Sequence, residues 1–215
     1  MPRAEKVRQQ RQILFPRDQK QGGAFAVSVQ IRLDHTLTNE DIAFLSQRNP
    51  GYQFERTAEG ELVVSPTGGR SGRMSAEVLG QLHHWNRMTG KGVVFDSSTG
   101  FVLPDGSLRS PDASWAALQR WRAVPAEQRE QFLPFCPDAV FEVRSLSDAK
   151  ASLQSKMRLY LANGARLAVL VDAVTETAEV YRPGMEPLEY TQKQQILLDP
   201  ELPGFVLDLD AVFSD

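Results

Sequence analysis

Residues 138–172, DAVFEVRSLSDAKASLQSKMRLYLANGARLAVLVD, decide the fold, because a strand, a helix and a second strand follow one another there. AVFEVR predicts an apolar strand, and LAVLVD predicts a short, wholly apolar strand of the kind that is buried on both faces. We expect Ser147 to cap the helix between them and Asn163-Gly164 to end it. The apolar residues of that helix recur three and four positions apart: Leu153, Met157, Tyr160 and Leu161.

The flanking sequence adds elements on both sides of this unit. LTNEDIAFLSQRNPG predicts a helix with Thr38 at its N-cap, and residues 52–66 predict a β-hairpin. Residues 71–88 carry a longer helical pattern, and AEVYRPG predicts a strand that pairs with LAVLVD. This order of elements predicts an α/β or α+β fold, arranged as a single domain over residues 24–215.

Composition and charge exclude several classes of protein. The 215 residues are 41% hydrophobic and 24% charged, which is typical of a globular chain. The net charge of −3 excludes a DNA coat protein, and the single cysteine, Cys136, excludes an intrachain disulfide and a cysteine-rich zinc site. No apolar run approaches the roughly 18 residues of a membrane span, and the N-terminus lacks the apolar core of a secretory signal. We therefore expect a cytoplasmic protein without a membrane partner.

The N-terminal residues differ in charge from the rest of the chain. Residues 1–20 carry six basic and two acidic side chains, a local net charge of +4. We expect residues 1–23 to form a basic, flexible arm. This arm is either a solvated terminus or a segment that contacts nucleic acid.

Three polar residues break the pattern of the elements that hold them. Asp112 lies at the start of an apolar strand, and Glu142 is a charge in the middle of AVFEV. A buried carboxylate is costly unless it is paired or bound to a metal. Lys156 borders the apolar stripe of its helix, so its ammonium reaches either solvent or the sheet. Taken singly, these residues also suit a turn, a structural ion pair and a surface lysine.

Two carboxylates from neighbouring strands and one lysine form a coherent set for phosphodiester chemistry. Mg²⁺, or Mn²⁺, binds one or two carboxylates together with water and substrate phosphate, so we expect Asp112 and Glu142 to be metal ligands. The metal would polarise a phosphoryl oxygen and lower the pKa of a bound water. Lys156 would position that water or stabilise the developing charge.

At these residues the chain resembles the Uma-type family of putative restriction endonucleases, within the PD-(D/E)XK nuclease superfamily. The resemblance covers about residues 37–210, and several matching stretches occur in the same order: NPGYQFERTAEGELVVSPTGGRSG, GVVFDSSTGF, SPDASW, AVFEVRS, KMRLYLANGARLAVLVD, AEVYRPG and LDPELPGF. It implies a restriction-endonuclease-like core, in which helices flank a central mixed β-sheet. The helix and hairpin predicted above would precede this core.

The resemblance also implies roles for particular residues. Asp112 corresponds to the aspartate of the PD motif and Glu142 to the acid of the (D/E)XK motif. Arg144 stands where that motif has its lysine, and the resemblance suggests that the lysine has moved to the next helix as Lys156. We favour Lys156 over Arg144 as the catalytic cation, because arginine keeps one protonated state and cannot share a proton with water.

The superfamily often adds an acidic residue on its first core helix. Glu77 and Gln81 are the candidates on that helix, and Gln81 is the one that borders the apolar face. Glu55, on the hairpin before the helix, is a third candidate, although spacing alone does not assign its role.

These patterns predict a Mg²⁺- or Mn²⁺-dependent endonuclease that acts on nucleic acid, with DNA as the expected partner. Cutting both strands of a duplex favours a homodimer. One alternative is a catalytically inactive nuclease-fold module that binds nucleic acid or a partner protein. Another is a hydrolase of a smaller phosphodiester, which would use the same residues.

Overall fold

A computed structural model describes residues 28–66, 68–191 and 194–214 of the chain. The predicted basic arm, residues 1–23, lies outside these ranges. In chain order the elements are β1 (Val29–Ile31), α1 (Asn39–Arg48), β2 (Tyr52–Arg56), β3 (Leu62–Pro66), α2 (Gly69–Thr89), β4 (Gly92–Asp96), β5 (Phe101–Val102), β6 (Leu108–Arg109), β7 (Ala113–Ala117), α3 (Leu118–Ala123), a 3₁₀ turn (Ala126–Glu130), β8 (Ala139–Arg144), α4 (Lys150–Ala162), β9 (Leu167–Asp172), β10 (Thr177–Tyr181), β11 (Leu188–Thr191), β12 (Gln195–Leu197), β13 (Val206–Asp208) and α5 (Leu209–Phe213).

The central sheet has the strand order β11-β10-β9-β8-β7-β4 within the described ranges. Strands β8 and β9 are parallel, and their neighbours pair antiparallel, so the sheet is mixed. The parallel pair is joined by α4, which packs on both strands, because parallel neighbours need a crossover connection. The predicted strand–helix–strand order of residues 138–172 is confirmed.

Alternation along β8 divides the core between two layers. Phe141 and its neighbours at period two face α2, whereas Val140 faces α4. The α2 layer includes four buried residues at helical spacing: Met74, Val78, Leu82 and Trp85. Glu142 is on the α4 side of the strand, where the apolar alternation is interrupted by a charge that needs partners.

A second sheet, with the order β1-β3-β2-β6-β5 among the described residues, packs against α1. The N-cap prediction for this helix is confirmed, since Thr38 and Asp41 form a reciprocal capping box. The chain leaves this sheet at β6 and enters the central sheet at β7, and only three residues lie between the two strands. Residues 110–112 therefore lie at the junction of the two sheets.

The predicted cap of α4 is wrong. The helix begins at Lys150 with Ala149 at its N-cap, and Ser147 instead bonds through its hydroxyl to the hydroxyl of Ser145. Asp148 accepts hydrogen bonds from the N–H and hydroxyl of Ser145, so the polar side chains of this loop form a turn before the helix starts. Within the described ranges, every helix is too short or too polar to cross a membrane.

Candidate active site

Asp112 lies where strands β7 and β8 separate. The ladder between these strands ends at the pair Ala113 and Phe141. Beyond it, Asp112 Oδ2 accepts a hydrogen bond of 2.7 Å from the N–H of Val143. The carboxylate thus satisfies a backbone donor that the ladder leaves open, and this bond fixes its position beside β8.

Glu142 obtains its partners from α4. Its Oε1 lies 2.8 Å from the ammonium of Lys156 and accepts a 2.8 Å hydrogen bond from the hydroxyl of Tyr160. Lys156 and Tyr160 are four residues apart, so they project from the same face of the helix. Two side chains from neighbouring turns of α4 therefore compensate the buried charge of Glu142 in the middle of its apolar strand.

Glu55 of β2 binds the same lysine from the second sheet. Its Oε1 lies 2.9 Å from Lys156 Nζ and accepts a 2.8 Å hydrogen bond from the N–H of Ser110. Arg109 lies farther away, with one guanidinium nitrogen 3.4 Å from Glu55 Oε2. Glu55 consequently joins α4 to the segment that leads into Asp112.

These groups open on one cleft of about 320 Å³. Its charged lining residues, within the described part of the chain, are five acids and one base: Glu55, Asp96, Asp112, Glu142, Asp148 and Lys156. Gly68, Gly72 and the small hydroxyl residues around them form another part of the wall. We call this space the acidic cleft; its charge favours a bound cation.

Burial disfavours the charged form of both proposed ligands. Burial raises the pKa of Asp112 to about 6, against the opposing effects of the Val143 N–H and Lys156. Burial likewise raises the pKa of Glu142 to about 8, and the nearby carboxylates of Asp112 and Glu55 add to the effect of burial while Lys156 opposes it. A cation between these carboxylates would stabilise their charged forms.

Lys156 stays protonated. Burial alone would lower its pKa, but the carboxylates of Glu142 and Glu55 outweigh burial and raise it. For Glu55, burial opposes ionisation, yet Lys156 and Arg109 hold its pKa below the usual value. Proton sharing with water, the reason given above for favouring Lys156, therefore does not distinguish it from arginine.

Position distinguishes the two cations instead. Arg144 points away from the acidic cleft: its NH1 lies 2.9 Å from Asp172 Oδ2, and its Nε donates to the carbonyl oxygen of Asp148. Arg144 therefore anchors the end of β8 to β9 and to the loop before α4. Lys156 lines the acidic cleft and contacts Glu142 directly.

The candidates on α2 lie elsewhere. Gln81 bonds through its side-chain amide to both the N–H and the carbonyl oxygen of Asp208, and so attaches β13 to the helix. Glu77 accepts a hydrogen bond from Gln81. Neither side chain lines the acidic cleft. Glu55, whose role could not be assigned from sequence spacing, does line it.

Tyr160 was missed as a site residue because its position in the apolar stripe suggested a core role. The signal was present in the sequence: Tyr160 follows Lys156 by four residues and carries a hydroxyl that must be satisfied when buried. Burial, and then the charge of Glu142, raise its pKa well above the usual value, so the hydroxyl remains a donor.

The donor set suits a hard cation that keeps water ligands. The hydrogen bonds to Asp112 and Glu142 fall on Oδ2 and Oε1, so these bonds leave the second oxygen of each carboxylate available as a ligand. Within the described ranges, no three His, Cys, Asp or Glu side chains gather as a complete metal cage. Mg²⁺ does not need one, because it commonly binds one or two carboxylates, water and substrate phosphate.

Comparisons with known proteins agree with this architecture. The family described as "Uma2: Putative restriction endonuclease" matches residues 39–210. The crystal structure of a putative nuclease belonging to DUF820 from Anabaena variabilis superposes with a TM-score of 0.68 at 19% identity, covering 82% of this chain and 97% of that chain. None of the curated proteins matches the sequence. The shared fold confirms the expected α+β core with a central mixed sheet.

Proposed function

Because the chain belongs to the Uma2 family, whose description is "Putative restriction endonuclease", we propose that it hydrolyses phosphodiester bonds of nucleic acid, with DNA as the substrate, in the acidic cleft. The observation that carries this proposal is the convergence of Asp112, Glu142 and Lys156 on that cleft from the β6–β7 connection, β8 and α4. A symmetric dimer stays a prediction, which follows from the need to cut two strands.

In this proposal Asp112 and Glu142 hold Mg²⁺ or Mn²⁺. When bound there, the ion would polarise a phosphoryl oxygen and lower the pKa of a coordinated water. Lys156, kept as an ammonium by Glu142 and Glu55, would donate to the phosphoryl oxygens as negative charge develops on them. Tyr160 would hold Glu142 so that its second oxygen faces the acidic cleft.

A catalytically inactive module that binds nucleic acid through this cleft is less well supported. Five acids against one lysine repel phosphate unless a cation intervenes, and metal-free binding to this cleft should be weak. A partner protein bound elsewhere would not require Asp112 and Glu142 at all. The two functions therefore differ in their dependence on these residues and on divalent ions.

The test is cleavage of plasmid DNA and of RNA by purified protein with Mg²⁺ or Mn²⁺. Asp112→Asn and Glu142→Gln should each lose about 100-fold or more in rate, and a chelator should abolish cleavage. Glu189→Gln is the matched control, because Glu189 is on the exposed strand β11, and it should cut within about twofold of wild type. Absence of metal-dependent cleavage, or full activity in both cleft variants, would disprove the proposal.

A further inference from the structure

A second cavity, of about 510 Å³, adjoins the acidic cleft. Glu55 and Lys156 line both spaces, so their ion pair forms a shared wall. Asp96, Asp112 and Glu142 line only the acidic cleft, whereas Arg109 lines only the second cavity. We call this space the Arg109 cavity.

The lining of the Arg109 cavity differs from that of the acidic cleft in charge. Two carboxylates, Glu55 and Asp148, face two cations, Arg109 and Lys156, within the part of the chain that the structure describes. Hydroxyl groups supply much of the remaining wall: Ser28, Thr57, Ser65, Ser147, Ser152 and Ser155. A balanced, hydroxyl-rich cavity can accept an anion that the acidic cleft would repel without a metal.

Arg109 is the group that points to a ligand. It is 8% exposed, and its Nε has no hydrogen-bond partner. Its contact with Glu55 Oε2 is long, at 3.4 Å, whereas Lys156 and Ser110 bind Glu55 Oε1 at shorter range. Because Nε itself is buried, a phosphate in the cavity would meet the terminal nitrogens of the guanidinium, whose planar fork recognises phosphate oxygens well.

The start of α4 adds to the positive character of the same cavity. Ala149, at the N-cap, lines it and provides no side-chain cap for this 13-residue helix, although the N–H of Ser152 bonds to the carbonyl oxygen of Ala149. The N-terminus of a helix carries partial positive charge and favours anions. Arg109 and this end of α4 therefore favour the same kind of ligand.

We propose that the Arg109 cavity binds the phosphate that neighbours the scissile one in the nucleic-acid strand. This inference rests on the proposed function, because it places the scissile phosphate in the adjoining acidic cleft. The substrate strand then passes Lys156. Its scissile phosphate lies in the acidic cleft, where binding depends on the metal, and the neighbouring phosphate lies in the Arg109 cavity, where side chains bind it directly. Recognition by Arg109 and hydroxyl groups sets affinity for the strand without taking part in bond cleavage.

The test introduces a charge at Ser155, since replacement of Arg109 would also remove a partner of Glu55 and could unfold the protein. Ser155→Glu places a carboxylate at the cavity, and Ser155→Gln has nearly the same size without the charge. Ala126→Glu adds the same charge to the exposed 3₁₀ turn, which lines neither space. We expect the KM of Ser155→Glu to exceed that of Ser155→Gln roughly five- to tenfold at equal kcat, and Ala126→Glu to resemble wild type.

The same variants are compared in binding of a fluorescein-labelled single-stranded oligonucleotide in Ca²⁺, measured by anisotropy. Ser155→Glu should bind roughly five- to tenfold more weakly than Ser155→Gln, in the proportion expected for KM. Equal affinity of these two variants, or equal weakening by Ala126→Glu, would overturn the proposed phosphate subsite. Absence of cleavage by wild type would overturn the proposed function alone, because the binding comparison does not depend on turnover.

Discussion

Binding of a divalent cation to the acidic cleft should release about one proton at pH 7. The ion requires both carboxylates in their charged forms, and burial raises the pKa of Asp112 to about 6 and that of Glu142 to about 8. At pH 7 a group with a pKa of about 8 is about 90% protonated, and one with a pKa of about 6 is about 10% protonated. These two fractions add up to about one proton displaced for each ion bound.

The affinity of the acidic cleft for Mg²⁺ should increase as Asp112 and Glu142 lose their protons. This affinity for Mg²⁺ should rise about tenfold between pH 6.5 and 7.5, and level off above about pH 9, where both carboxylates are almost fully ionised. Isothermal titration of Mg²⁺ into substrate-free protein, in two buffers with different ionisation enthalpies, gives both the affinity and the number of protons released. Glu142→Gln should reduce proton release at pH 7 to about one tenth of a proton.

The free energy of unfolding of the metal-free protein should fall as the pH rises, whereas the affinity for Mg²⁺ should increase. A raised carboxyl pKa means that the folded state holds the proton more tightly than the unfolded chain does. This contribution to stability is complete below the ordinary carboxyl pKa values near 4, and it is lost as the pH rises through about 6 for Asp112 and about 8 for Glu142.

Proton release near zero at pH 7 on Mg²⁺ binding, together with an affinity for Mg²⁺ that stays flat from pH 6 to 8, would refute the assignment of these two carboxylates as ligands.

Four substitutions test the other residues in and beside the site. Lys156→Met should lower kcat about 100-fold, whereas Arg144→Met should lower the melting temperature but leave kcat of the folded protein within about threefold; equal losses of kcat would contradict the choice of Lys156. Tyr160→Phe removes one of the two bonds to Glu142 Oε1, so the free energy of unfolding should fall by about 1–2 kcal/mol and the Kd for Mg²⁺, measured calorimetrically, should rise severalfold; an unchanged Kd would argue against an orienting role. Glu55→Gln removes the negative charge that faces two buried cations, so urea unfolding should show a loss of about 3 kcal/mol, and a loss below about 1 kcal/mol would contradict the ion-pair account.

The parts of the site that lie on one continuous pattern could be predicted from sequence. Alternation along AVFEVR identifies Glu142 as a buried charge, and helical spacing places Lys156 at the edge of an apolar stripe. Both inferences need only the geometry of a single element. The structure places both residues, with Asp112, on the acidic cleft.

The role of Glu55 could not be predicted in this way. Glu55 and Lys156 are 101 residues apart, and they meet because the second sheet packs beside the central sheet. Periodicity reports which face of a strand is buried, but it does not report which distant element covers that face. The prediction that Ser147 caps α4 was wrong for a related reason. Whether this serine caps the helix or bonds within the loop depends on how Ser145 and Asp148 close the turn.

The most direct test of the central claim is a crystal structure with Mn²⁺, examined for its anomalous signal. We expect one strong peak within about 2.5 Å of an oxygen of Asp112 and an oxygen of Glu142, with the Lys156 ammonium beside it and a much weaker peak in Glu142→Gln. A peak bound by other residues, or an acidic cleft without Mn²⁺ at millimolar concentration, would contradict the account.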